Sequence, residues 1–325
     1  MSSRAPGLPP LSGTPTLNAL TPVIEIGGTH VTAALVDTAA RQVRHETVRH
    51  AHLDAAAPAD EILAPILRCA RGLGDRPGAY WGVAAPGPFD YRRGIARFTG
   101  VGKFDRLNGL DVRHALRNGL PAAHQRFCFL NDAHAFVLGE WWAGAASGNR
   151  RVVGITLGTG VGSAFMLDGT LIDYGDVVPP EGQVHLLKVN GRPLEESVSR
   201  RAILSRYAGG GAEAFVPGID VREIAERARA GETAARHAIR DALHVLGAAL
   251  APWLVRFEAE IVVVGGSISR SWDLVAPPLS EGIESAGAPP GIVLTKAKQP
   301  ADAALLGAAW HVNRAQQAGT GFGEK

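Results

Sequence analysis

The chain has 325 residues, which is long enough for two domains with separate hydrophobic cores. Its 33 Lys and Arg residues nearly balance its 31 Asp and Glu residues, and the formal net charge of +2 predicts no surface for nucleic acid or another polyanion. Hydrophobic residues make up 46% of the chain, and its 40 Gly and 21 Pro residues indicate a globular fold with many glycine-dependent turns.

The two cysteines, Cys69 and Cys128, are too few and too isolated to build a disulfide framework or a Cys-based zinc cluster. A reducing compartment is the natural setting for such a chain. The sequence shows neither a secretory signal pattern nor a long apolar run, so we expect a cytoplasmic protein that has no membrane partner.

The N-terminal part of the chain predicts a mobile tail followed by a three-stranded meander. Residues 1–20 are rich in Ser, Pro, Gly and Thr and lack apolar periodicity. Residues 23–26, 31–36 and 42–50 have the apolar pattern of strands. The apolar spacing of residues 60–73 predicts a helix, and further strands are expected at 81–85 and 127–130.

A second unit of the same kind begins near residue 151. A shift of 131 positions carries Ile24 onto Ile155, and the correspondence continues without a gap to Asp37 over Asp168. The shared pattern of apolar residues, glycines and apolar residues predicts one strand-turn-strand unit in each half of the chain.

The remaining elements follow from capping and periodicity. Asp220 and Glu223 form a capping-box pattern that predicts a helix over 221–229. Helices are also predicted over 232–257 and 301–313, and a buried strand over 261–264.

Three glycine turns each follow a predicted strand, and together they suit a nucleotide site. Glycine allows backbone N–H groups to approach phosphate oxygens closely, and threonine adds a hydroxyl donor. For any single turn, the alternative is an ordinary β-hairpin turn. The residues concerned are Gly27, Gly28, Thr29, Gly158, Thr159, Gly160, Gly265 and Gly266.

The chain lacks the Walker pattern and a Rossmann G-x-G-x-x-G that opens a helix. Its second glycine turn runs on into an expected strand at 163–167 instead. The order of strand, phosphate turn and strand is typical of the actin-like ATPase (ribonuclease H-like) architecture, a duplicated α/β fold.

Six short motifs occur in a fixed order along the chain: EIGGT at 25–29, APGP at 85–88, NDA at 131–133, LGTGVG at 157–162, GG at 265–266 and AALLGAA at 303–309. The ordered set resembles the ROK family of sugar kinases and sugar-responsive repressors. The resemblance runs from about residue 22 to residue 312.

The resemblance implies a two-domain fold that binds ATP, Mg²⁺ and a sugar in the cleft between the domains. It places a smaller domain at 21–131 plus 300–318 and a larger one at 132–299, and it implies a homodimer. Asp132 matches the family's catalytic base, which takes the proton from the attacking sugar hydroxyl. Asn131 belongs to the same motif and is expected to bind the sugar. The alternative role for Asp132 is the N-cap of a helix over 133–143.

The family's sugar-binding residues are matched here by Glu181, His185 and Glu195. Carboxylates suit this role because they accept hydrogen bonds from paired sugar hydroxyls. The alternatives are a core histidine at His185 and a solvated helix start at Glu195. The family's Glu usually lies three residues before the His, whereas here the interval between Glu181 and His185 is four.

Other departures concern the nucleotide and metal sites. Glu25 stands where the family kinases usually have Asp near Mg²⁺ and the phosphates, and His134 stands where they usually have Asn. The family's clustered zinc cysteines are missing, and residues 188–193 occupy their place, so we expect no structural zinc.

The leading hypothesis is therefore an ATP-dependent hexose kinase that acts on the 6-hydroxyl. The alternatives are a sugar-binding repressor of the same family, which would need a helix-turn-helix before the first motif, and a catalytically silent sugar-binding protein. Glucose is the substrate that the resemblance implies first. The altered sugar motif also makes the amino sugar kanosamine a candidate, as in kinases of actinobacterial antibiotic biosynthesis, because its ammonium suits a carboxylate-rich site.

Overall fold

The computed structural model describes residues 20–76, 78–121, 123, 125–210 and 218–317. Apart from Leu20, the predicted N-terminal tail lies outside the described residues.

The first half of the chain forms a five-stranded sheet with the order β3-β2-β1-β4-β7. The first three strands pair antiparallel, as the predicted meander requires, and β4 and β7 extend the sheet in parallel. The elements are β1 (Leu20–Ile26), β2 (His30–Asp37), β3 (Gln42–His52), α1 (Ala59–Arg71), β4 (Tyr80–Ala85), β5 (Phe89–Asp90), β6 (Ile95–Ala96), α2 (Val112–Gly119), β7 (Arg126–Asn131) and α3 (Asp132–Ala143).

The second half forms another five-stranded sheet, with the order β10-β9-β8-β13-β14. The capping box of Asp220 and Glu223 is present at the start of α6, and each helix and strand predicted in this half is confirmed with small changes at its ends. The elements are β8 (Arg151–Leu157), β9 (Val161–Leu167), β10 (Thr170–Ile172), β11 (Lys188–Val189), β12 (Arg192–Pro193), α4 (Glu195–Val198), α5 (Arg200–Tyr207), α6 (Val221–Arg229), α7 (Thr233–Phe257), β13 (Ile261–Gly265), α8 (Trp272–Ser285), β14 (Val293–Lys296) and α9 (Ala303–Gln317).

The repeated strand-turn-strand unit is confirmed, but the two hairpins differ in register. In the first, Ile26 pairs with Val31, which leaves four residues between the paired positions. In the second, Leu157 pairs with Val161, which leaves three. The sequences align without a gap, yet the last paired residues of β8 and β9 enclose one residue fewer than those of β1 and β2.

Helices α3 and α9 form a layer that both sheets share. One apolar cluster combines their side chains with Val23 and Val36 of the first sheet and Val152 and Val263 of the second. The two helices cross at backbone distance. A Cβ added to Gly139 would overlap the carbonyl of Ala303, and one added to Gly307 would overlap the carbonyl of Ala135.

A fully buried carboxylate lies at the C-terminal end of α3. Glu140 accepts hydrogen bonds from the backbone N–H groups of Ala145 at 2.7 Å, Lys298 at 3.1 Å and Gln299 at 2.7 Å. A buried carboxylate is tolerated only when such donors replace its water shell. Glu140 thereby fastens α3 both to the chain that follows it and to the connection between β14 and α9.

Helix α7 is the one helix in the described part of the chain that is long and apolar enough to cross a membrane by composition alone. Half of its most apolar window is buried within the protein. Its side chains at Leu243, Leu246, Leu250 and Leu254 belong to the core that covers the second sheet. The apolar character of α7 is accounted for by this packing.

The backbone contact between α3 and α9 generates a prediction about stability. Gly307→Ala should lower the free energy of unfolding by about 1–3 kcal/mol, because the added methyl group must push the two helices apart. Denaturant unfolding measures the effect, with Gln316→Ala on the exposed face of the same helix as control. Equal stabilities of the two variants would contradict the close crossing.

Candidate active site

The turn between β1 and β2 has a two-residue loop that is open on one side. The N–H of Gly27 donates to the carbonyl of His30 at 2.8 Å, which leaves Gly28 and Thr29 at the tip. A Cβ added to Gly28 would meet no atom within 4 Å, and the side chain of Thr29 is exposed. This turn therefore offers N–H and hydroxyl donors to an approaching group.

The turn between β8 and β9 is braced by a carboxylate. The N–H of Gly158 donates to the carbonyl of Gly160 at 3.0 Å, and Thr159 is exposed at the tip. Glu195, at the start of α4, accepts a hydrogen bond from the N–H of Val161 at 3.3 Å. A Cβ at Gly160 would overlap the carboxylate of Glu195, so a larger residue there would require this carboxylate to move away from the turn.

The third glycine turn lies next to the second. Gly265 ends β13, and Gly266 has a φ of +87°, where its Cβ would overlap the backbone of Leu157. The hydroxyl of Ser267 is 3.8 Å from a Cβ built on Gly158. The structure thus brings the second and third predicted turns together at the ends of neighbouring strands.

Asp132 is the first residue of α3, and Asn131 is its N-cap. The Oδ1 atom of Asn131 accepts hydrogen bonds from the N–H groups of Ala133 at 2.9 Å and His134 at 3.3 Å. The alternative role considered for Asp132, the N-cap itself, is therefore wrong. Because Asn131 performs the capping, Asp132 retains one carboxylate oxygen beyond the hydrogen bond that its Oδ1 accepts from Ala133 at 2.9 Å.

Acidic groups surround this position. Burial, together with the smaller effects of the Asp132 and Asp302 carboxylates, raises the pKa of Glu25 to about 7. Burial also raises the pKa of Asp132 above its usual value, while the ammonium of Lys103 and the N–H of Ala133 act against that rise. The carboxylate of Asp302 lies 3.2 Å from Nε2 of the exposed His45. Glu25, Asp132 and Asp302 therefore share one negative region.

Lys103 and Tyr91 are two residues of this region that the motifs did not single out. Lys103 lies in a loop where Gly102 and Phe104 both have positive φ angles. Tyr91 follows β5, and its hydroxyl accepts a hydrogen bond from Nδ2 of Asn131 at 3.0 Å. In the sequence, Lys103 could have been noticed as a lone lysine beside spaced glycines. Tyr91 gives no such signal, because its pattern is the same as that of any aromatic residue in a hairpin.

The predicted sugar residues Glu181 and His185 lie on a segment fastened by Ser163. The buried hydroxyl of Ser163 donates to the carbonyl of Gly182 at 2.8 Å and accepts from the N–H of Val184 at 2.9 Å. Glu181 is exposed with a φ of +55°, and the Gln183 amide lies 3.5 Å from its carboxylate. His185 is partly buried. Of the predicted sugar carboxylates, Glu195 contacts a glycine turn and Glu181 lies at the surface.

The donors of the glycine turns suit the phosphates of a nucleotide, since Gly28 is open and Thr29 and Thr159 are exposed beside backbone N–H groups. Within the described ranges, no three or more His, Cys, Asp or Glu side chains are grouped so that they could hold a metal ion. Cys69 and Cys128 are both free and buried.

Similarity to known proteins was found at the level of the family, of single sequences and of solved structures. The ROK family matches residues 21–315. Glucokinase from Thermotoga maritima is 31% identical over 225 residues, which cover 63% of this chain and 68% of that one. Glucokinase from Streptomyces coelicolor is 28% identical over 291 residues, covering 80% and 86% of the two chains.

A solved ROK family glucokinase from Streptomyces griseus, in complex with glucose and AMPPNP, superposes with a TM-score of 0.72 at 23% identity. The match covers 91% of this chain and 99% of that one, and it confirms the expected α/β fold of the actin-like ATPases. The family match extends over nearly all the described residues and over all six motifs. The chain therefore belongs to the ROK family.

Proposed function

We propose that this protein is an ATP-dependent sugar kinase that transfers the γ-phosphate of ATP to the 6-hydroxyl of a hexose. The position of Asp132 carries the proposal. It begins α3 directly after β7, its capping role is taken by Asn131, and burial raises its pKa. A carboxylate with a raised pKa and a free oxygen is suited to accept a proton from a sugar hydroxyl.

In this mechanism Asp132 accepts the proton of the 6-hydroxyl as that oxygen forms its bond to the γ-phosphorus of ATP and the bond to the ADP oxygen breaks. Thr29, Thr159 and the N–H groups of the glycine turns would hold the phosphates. Mg²⁺, when bound with ATP, neutralises phosphate charge, and Glu25 supplies the carboxylate expected near it. Asn131, Glu181, His185 and Glu195 are proposed to bind the sugar.

We propose further that residues 21–131 with 300–318 form one domain and residues 132–299 the other. Each range contains one of the two five-stranded sheets, and α9 packs on β1 and β4 of the first sheet. Closure of the cleft between these domains around the sugar would exclude water from the transferred phosphate.

The substrate is proposed to be glucose or a glucose-like amino sugar such as kanosamine. The negative region around Glu25, Asp132 and Asp302 would favour an ammonium group on the sugar. The glucokinases among the relatives support the hexose scaffold, and the four-residue interval from Glu181 to His185 supports a modified pocket.

A coupled ADP-release assay with glucose, mannose, N-acetylmannosamine and kanosamine tests the proposal. We expect Mg²⁺-dependent turnover with a glucose-configured sugar and a higher kcat/KM for kanosamine than for glucose. Turnover of glucose without turnover of kanosamine would contradict the proposal that the substrate is an amino sugar. Sugar binding without any turnover would favour the silent binding protein over the kinase.

The proposed general base gives a direct prediction. Asp132→Asn should lower kcat by about 10²-fold or more while leaving the sugar affinity nearly unchanged, because the amide cannot accept the proton. Asp60→Asn is the matched control, since Asp60 is an exposed aspartate in the first turn of α1. A near-normal kcat in Asp132→Asn would remove this residue from the mechanism.

The raised pKa of the partly buried Glu25 predicts a pH dependence of stability in the protein without nucleotide. Its pKa is about 7 in the folded protein against 4.5 as the reference value, so the folded state holds the proton more tightly than the unfolded chain. This contribution to stability is fully present below about pH 4.5 and is lost as the pH rises through about 7.

Glu25→Gln should therefore match the wild type near pH 4.5 and exceed it in free energy of unfolding near pH 8, by on the order of 1–3 kcal/mol. Glu46→Gln, on the exposed side of β3, is the control that should show no such divergence. If the free energies of unfolding of wild type and Glu25→Gln changed in parallel with pH, ionisation of Glu25 would cost the folded protein no stability, which would contradict the prediction.

A further inference from the structure

Tyr91 links the end of a strand to the cap of the catalytic helix. Its hydroxyl donates to the carbonyl of Ala85, the last residue of β4, at 3.2 Å, and it accepts from Nδ2 of Asn131 at 3.0 Å. Its ring is partly buried and packs against the ring of Phe89 with centroids 5.3 Å apart. Burial raises the pKa of the Tyr91 hydroxyl well above its usual value, so the hydroxyl keeps its proton at neutral pH.

The hydrogen-bonding capacity of this pair is nearly used up. Oδ1 of Asn131 is occupied by the N–H groups of Ala133 and His134, which fixes the amide with Nδ2 towards Tyr91. Nδ2 carries two hydrogens and uses one for Tyr91, and the Tyr91 oxygen has two lone pairs and uses one for Asn131. One N–H donor and one oxygen acceptor therefore remain.

Gly87 borders this pair of side chains. A Cβ built on Gly87 would lie 3.3 Å from the hydroxyl oxygen of Tyr91 and 3.9 Å from Nδ2 of Asn131. A side chain at this position would therefore contact both atoms, and glycine leaves this side of the pair uncovered.

We propose that Tyr91 is a positioning residue for Asn131, and that the two side chains together bind one sugar hydroxyl. A hydroxyl is both donor and acceptor, so it satisfies the Tyr91 oxygen and the Asn131 N–H at the same time, whereas an ether or a deoxy position satisfies one or neither. Because Asn131 precedes Asp132 in the chain, this hydroxyl would lie close to the 6-hydroxyl whose proton Asp132 is proposed to accept. The inference rests on the proposed kinase function for the identity of the ligand.

The test compares Tyr91→Phe with Tyr80→Phe. Both variants lose a tyrosine hydroxyl at an end of β4, but Tyr80 lies at the opposite end, where its hydroxyl contacts Arg126. We expect Tyr91→Phe to raise the KM for the sugar about tenfold while the KM for ATP stays within about twofold, because one positioned hydrogen bond is lost on the sugar side only. Tyr80→Phe should change neither.

A purely structural role for Tyr91 would move the KM values for sugar and ATP together, or would leave the kinetics of the two variants equal. Either result overturns the proposal. With a sugar that lacks the hydroxyl bound by Tyr91 and Asn131, the KM values of wild type and Tyr91→Phe should be nearly equal, since the interaction is then absent in both proteins.

The side-chain amide signal of Asn131 in a ¹⁵N-labelled protein separates this inference from the kinase proposal. It should shift in Tyr91→Phe and stay in place in Tyr80→Phe, whether or not any tested sugar is phosphorylated. Absence of turnover in the wild type would count against the kinase proposal alone. An unmoved Asn131 signal in Tyr91→Phe would overturn the positioning role.

Discussion

The close crossing of α3 and α9 is the constraint on which the position of Asp132 depends. Gly139 and Gly307 remove the side chains that would separate the two helices, so backbone packs on backbone between the sheets. Helix α3 starts where β7 ends, without an intervening residue, and its other end is held by Glu140. Asp132 is therefore fixed by a strand behind it, a helix beside it and a buried carboxylate two turns further on.

The site combines acidic groups that repel one another with few cations to compensate them. Burial raises the pKa of Glu25, Asp132 and Asp302, and the carboxylates of Asp132 and Asp302 add to the rise at Glu25. Lys103 acts against the rise at Asp132, and His45 acts against it at Asp302. Such a region is relieved by taking up a proton or by receiving a cationic group. The same property that costs stability would make the proposed site receptive to an ammonium or a metal-bound nucleotide, and it would keep Asp132 basic enough to accept a proton.

The sequence predicted the hairpins, most helices and the glycine turns, because these depend on local patterns of apolar residues, caps and glycines. It did not reveal Glu140, whose partner Gln299 lies 159 positions away, since a glutamate within an apolar helix gives no sign of distant backbone donors. The exchange of roles between Asn131 and Asp132 was missed for a related reason. Either residue caps a helix well, and only the helix start in three dimensions decides between them.

The two hairpins share one sequence pattern, yet the structure gives them different surroundings. The first turn encloses one residue more between its last paired positions and is open at Gly28, whereas the second is closed over by the carboxylate of Glu195 on the N–H of Val161. A phosphate that approaches the second turn meets a negative charge unless Glu195 is engaged elsewhere. Since Glu195 is also a proposed sugar residue, this one carboxylate would link the second turn to the proposed sugar site.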